Sequence, residues 1–191
     1  MSNPLSDLKA VLLKDADDME AVAQVAPPLL RFLKGNTYRT MLASLEHLGL
    51  YDWSLRQLDS RNRPRKIAAI ALLAHWPKPE VKDRLATLLE DRNHLVQFAA
   101  VEALALSRDA AYIPVIIEKF NSRESFSAPL MADVFRKYDQ AALAPLAELL
   151  GDANTPVRIK TAALMALSRS GDRDAITAAA LPLCGDADGE L

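Results

Sequence analysis

The sequence predicts an all-α protein, a right-handed superhelix in which about five helix pairs stack as a solenoid behind N-terminal capping helices. Three observations predict it. Half of the 191 residues are apolar, yet only 6% are aromatic and Gly numbers 6, so the bulk is Ala and Leu, which are strong helix formers. The stretch LDSRNRPRKIAAIALLA at 58–74 returns 31 residues later as LEDRNHLVQFAAVEALA at 89–105, with seven of seventeen positions identical. Finally, prolines that suit the first turn of a helix recur at the same interval of 31, at Pro114 and Pro145.

Taken in chain order, residues 1–26 are expected to supply the capping helices, 27–184 the repeats and 185–191 the start of a further repeat, all within one elongated domain over 1–191. Pro27-Pro28-Leu29-Leu30 matches the Pro-opened second helix of a pair; 37–48 then makes a first helix with 51–58 as its short partner. Asn62 or Arg63 ahead of Pro64, then Asn93, then Thr155-Pro156, are helix-start signals. Between them, 67–74 is apolar on every side, which calls for burial on more than one face. Ala68, Ala69, Ala99, Ala100, Ala162 and Ala163 recur in register, small enough to let axes approach toward the lower end of the roughly 8–10 Å range. A weaker copy of the first helix lies at 120–135, and 113–120 and 144–150 are second helices. The C-terminal Leu183-Cys184-Gly185-Asp186-Ala187-Asp188 repeats Leu149-Leu150-Gly151-Asp152-Ala153-Asn154, so the chain is expected to be a piece of a longer polypeptide.

Composition narrows the function classes. A net charge of −2 and a pI near 5.9 give no overall attraction to nucleic acid or to an anionic membrane, so such a role needs a local patch. No apolar run approaches the roughly 18 residues of a membrane span, and the N-terminus lacks the basic and small-residue features of a secretory leader. The single Cys184 closes no intrachain disulfide, so a reducing cytoplasm is the default location.

The acidic residue in the turn, the pairs Val96-Gln97 and Val157-Arg158, the Ala-Ala run, the Ala-Leu pair and the Pro-opened second helix resemble the HEAT repeat in its short, phycobilisome-lyase-like form. The resemblance covers about residues 27–184 and implies a non-catalytic binding scaffold, with first helices convex and second helices concave. It also implies an alternative, a ligand-handling accessory protein of the phycobilisome-lyase-like kind. HEAT-like deoxyhypusine hydroxylases hold iron with several His-Glu pairs, whereas only the reversed Glu46-His47 occurs here; HEAT-like DNA glycosylases need a strongly basic concave face.

The candidate site is a ladder. Arg61, Arg92 and Arg123 hold the same turn position in three units, and Arg56, Arg63, Arg65 and Lys66 crowd the first of them with only Asp59 in opposition. Such an edge suits an acidic protein segment or a phosphate-bearing ligand, or nucleic acid as a less favoured partner. The plainer expectation is that each Arg pairs with a turn acid among Asp59, Glu90, Asp91 and Glu124, or with the carbonyl end of the preceding helix. Asp83, Glu118 and Glu148 fall on second helices and make that face mildly acidic. Trp53 and Trp76 sit by turns, as anchors for a partner or as plugs between helices. His47, His75 and His94 lie in different units without metal-ligand spacing, so no catalytic residue, metal or cofactor is assigned.

Overall fold

The computed structural model describes residues 16–122 and 126–168, and every regular element among them is helical. The helices are α1 (Ala16–Leu30), α2 (Gly35–His47), α3 (Leu50–Gln57), α4 (Arg63–Leu73), α5 (Pro79–Thr87), α6 (His94–Leu106), α7 (Ile113–Asn121), α8 (Ala128–Lys137), α9 (Leu143–Gly151) and α10 (Val157–Leu167). Short 3₁₀ turns follow α5 and precede α7 and α9. The chain divides into two compact units, Met1–Ala103 and Leu104–Leu191.

The helix starts follow local chemistry. Asn62 caps α4 by accepting the Arg65 amide at 3.1 Å, and Asn93 caps α6 by accepting the amides of Leu95 and Val96 at 3.0 and 3.3 Å. Each such bond satisfies an N–H that the helix itself cannot reach. Pro64, Pro79, Pro114, Pro129 and Pro145 all fall in first turns, where a missing N–H sacrifices no intrahelical bond. The turn preceding the second helix of a pair has its own signature. Arg108 and Asp139, 31 residues apart, both take a left-handed φ, of 56° and 54°, and Arg108 Nη1 lies 3.4 Å from Asp139 Oδ2.

In the first unit α4 is the central element, packed against both α1 and α3. Ala69, Ile70, Leu72 and Leu73 have no exposed surface and Ala68 retains 7%, so the all-round apolar pattern of 67–74 is used on more than one side. Trp53 is 4% and Trp76 3% exposed, and Tyr51 meets Trp76 edge to face at 5.5 Å. Both indoles therefore fill space between helices, Trp53 from within α3 itself. In the second unit α10 packs on α8 and on α9, with Ala162, Ala163 and Ile159 fully buried. Phe120 anchors this unit through edge-to-face contacts with Phe126 at 5.1 Å and Phe135 at 5.8 Å.

One expectation fails. Pro27-Pro28 does not open a second helix; both prolines lie inside α1, which runs unbroken from Ala16 to Leu30. Their rings crowd the carbonyls of Ala23 and Gln24 and remove two hydrogen bonds. The offsetting gain is the burial of Ala23, Ala26 and Leu30, at 0–2% exposure, on the face α1 turns to α4. Tertiary packing overrides the local signal. The proposed start of a further repeat at 185–191 and the first 15 residues of the capping segment lie outside the described residues.

Two outcomes follow for stability. Ala69→Leu or Ala163→Leu forces extra volume between close axes and is expected to destabilise by about 1–3 kcal/mol in urea unfolding, whereas the same change at exposed Thr161 has little effect. His75, half-buried with its Nδ1 3.2 Å from the Tyr38 hydroxyl, has its pKa pushed down by burial and then by Arg31. The unfolded chain therefore takes up this proton first, and stability falls as pH drops below about 6.5 until His75 titrates in the folded state. Thermal melts between pH 7.5 and 5 of wild type and His75→Gln are expected to show that this part of the decline disappears in the variant.

Candidate partner-binding surfaces

In the first unit, the turn entering α4 and the turn entering α6 enclose an open cleft of about 460 Å³. Arg61, Arg63 and Lys66 line it from the first turn and helix, Arg92, Asn93 and Val96 from the second, with Asp59, Ser60, Glu90 and Asp91 completing the wall. The turns are held by side chains that imitate backbone acceptors. Ser60 Oγ accepts the Asn62 amide at 3.1 Å, and Asp91 Oδ1 accepts the Asn93 amide at 2.8 Å. Gln97, only 1% exposed, donates Nε2 to the Asp91 carbonyl at 2.6 Å. Arg158 plays the corresponding part in the second unit, where its two terminal nitrogens donate to the carbonyls of Phe126 and Phe120 at 2.9 and 2.7 Å. These internal bonds stiffen the turns from which the exposed Arg61 and Arg92 project.

The charge pairing differs from the plainer expectation. Asp59 is paired with Arg84 at 2.8 Å, and Asp91 with Lys66 at 2.9 Å, where each partner keeps only 16% of its side-chain surface. Burial by itself raises the Asp91 carboxyl, but the Asn93 amide and the Lys66 ammonium, with Arg63 adding its field, hold it below the usual carboxylate range. Arg61 and Arg92 form no ion pair among the described residues. Asp59 and Asp91, two of the turn acids beside them, are paired with other cations, and Arg61 and Arg92 line the cleft.

Arg65 does not join this edge. Its Nε donates to Glu20 at 2.6 Å and its Nη2 to Asp17 at 3.0 Å, so it ties α4 to α1. The Glu20 hydrogen bond is the main reason that its pKa is raised further. Arg123 and Glu124 lie outside the described residues, as does Cys184. Asp83 is exposed on α5 and has interactions of its own.

The second unit holds a groove of about 430 Å³ between α7 and α9, with Pro114, Ile117, Pro145 and Leu149 forming its apolar floor. Glu118, Glu148 and Asp152 rim it, so two of the three predicted acids share one surface. A hollow of about 390 Å³ between α1 and α4, lined by Ala23, Pro27, Arg31 and Ile67, has no counterpart in the sequence reading. Nor does the stripe of Val25, Leu29 and Phe32, exposed at 59, 51 and 83%. The i, i+4, i+7 spacing was its available signal, hidden once Pro27 is taken as a helix start.

Among the described residues no group of three His, Cys, Asp or Glu side chains is placed to hold a metal ion, and no helix is long and apolar enough to cross a membrane. The architecture defines the class, an all-helical repeat protein. Residues 51–126 match the family model for HEAT repeats. No curated protein and no solved structure matches the chain.

Asn93→Ala removes the acceptor for two amides at the start of α6 and is expected to lower stability by about 1 kcal/mol, read as a lower urea midpoint with an unchanged slope.

Proposed function

We propose that this chain is a non-catalytic interaction module that docks a protein partner, with the arginine-lined turn cleft as its principal contact. HEAT repeats commonly mediate protein–protein interaction, and stacked helix pairs present rigid surfaces without any need for catalytic groups. The observation that carries the assignment is that Arg61 and Arg92 line one cleft without ion pairs among the described residues, while Asp59 and Asp91 are engaged by Arg84 and Lys66. Unneutralised guanidiniums on a stiff frame attract a negatively charged partner, speed its approach and orient it. The α7/α9 groove is a second docking surface, where Glu118 and Glu148 above an apolar floor favour a partner segment of opposite charge.

The same arginines favour nucleic acid as a second reading. Against it, Asp59, Glu90 and Asp91 share the cleft wall and the chain as a whole carries −2, so a continuous phosphate backbone meets repulsion beside each attraction.

The test is quantitative co-purification from the native cell with three proteins: wild type, Arg61→Glu/Arg92→Glu, and Glu118→Lys/Glu148→Lys. The arginine reversal is expected to reduce recovery of the specific partner by about ten-fold or more with an unchanged thermal melt. Undiminished recovery in that variant removes the cleft from the interface.

A further inference from the structure

We infer that the turn cleft of the first unit reads phosphate, taking a phosphorylated serine or threonine side chain of the partner polypeptide. This inference rests on the reading of the cleft as a protein-docking surface and specifies the chemistry it recognises.

Three features carry it. The cations that line the cleft outside any ion pair among the described residues, Arg61 and Arg92, are both arginines, while Arg63 already lends its field to Asp91 and the one lysine of the lining is paired with Asp91. A guanidinium offers parallel N–H donors that match two oxygens of one tetrahedral anion, which an ammonium does not. A phosphomonoester brings a charge of roughly −1.5 to −2 and three acceptor oxygens at a single point, enough to engage more than one arginine at once.

Support comes next from the frame. The arginines sit at the starts of α4 and α6, helices of 11 and 13 residues, whose positive ends face the same turns and add to the attraction for an anion. Asn62 and Asn93 cap these ends, so the arginines rather than bare amides make the contact. The bonds from Ser60, Asp91 and Gln97 hold the two turns in place before any ligand arrives.

The remaining acids set selectivity. Asp59 and Glu90 lie in the same wall, so an extended run of negative charge pays a repulsive cost along its length, while a focal dianion between arginines avoids it. A cleft of about 460 Å³ has room for a phosphorylated side chain and the backbone on either side.

The experiment uses the full chain on immobilised peptide arrays with degenerate flanks around one central residue: phosphoserine or phosphothreonine, the unmodified residue, or glutamate. A duplex DNA of 20 base pairs serves as a solution competitor. Wild type is expected to be retained on the phosphorylated array at least about ten-fold over the other two, with inorganic phosphate at millimolar concentration competing and the duplex not. Arg61→Gln/Arg92→Gln is expected to fall to the unmodified level, while Arg56→Gln, outside the cleft, is retained as wild type and both melt as wild type. Equal retention on the phosphorylated and glutamate arrays, no retention on any array, retention surviving the double substitution, or preferential capture of the duplex each overturns the inference. If partner recovery from cells still requires Arg61 and Arg92 after such a result, the docking assignment stands and only the phosphate specificity falls.

Discussion

Close packing of helices through alanine is the constraint on which the rest of the structure depends. Beyond its basic first turns α4 has no polar side, with Ala68, Ala69, Ile70, Leu72 and Leu73 buried, and it packs against both α1 and α3, so that part is stable only as the interior of a stack. α10 meets the same demand in the second unit, where Ala162 and Ala163 leave space for a close approach to α8. What remains exposed in each unit are the second helices and the turns, and the candidate surfaces lie there.

The backbone of the turns is fixed by their own side chains. Ser60, Asp91 and Asp152 each accept an amide two residues ahead, at 3.1, 2.8 and 2.9 Å, and so repeat one local solution in three units. In the first two, the residue between acceptor and asparagine is an arginine, held outward because its neighbours are turned inward. In the third it is Ala153, and the acceptor turn forms without the charge and without an asparagine cap on α10. The acceptor turn is common to the three copies, whereas the residue that follows the acceptor differs among them.

Much of this was legible from the residues alone. The 31-residue interval located the first helices, Asn62 and Asn93 marked their starts, and the prolines marked second helices, because each signal acts on the backbone within a few residues. Pro27-Pro28 misled for the complementary reason: the same local preference was outweighed by apolar burial against α4, a helix more than thirty residues away in the chain. The grouping of Arg61 with Arg92 followed from the repeat, that of Arg63 from its nearness to Arg61 in the chain, and that of Glu118 with Glu148 from their common place on second helices.

Pairing was different. Sequence proximity offered the ladder arginines only a set of turn acids or a helix carbonyl end, while the folded chain joins Asp59 to Arg84 and Asp91 to Lys66, and turns Arg65 away to Glu20. Ion pairs form between side chains that reach one another in space, with little regard for separation along the chain, and the long stems of Arg and Lys reach across neighbouring helices. By itself, then, the sequence determined that helices would pair, repeat and bury their alanines, since those outcomes follow from local propensity and period. Only the tertiary structure decided which arginines stay outside ion pairs among the described residues, because that depends on distances between elements the chain order does not specify.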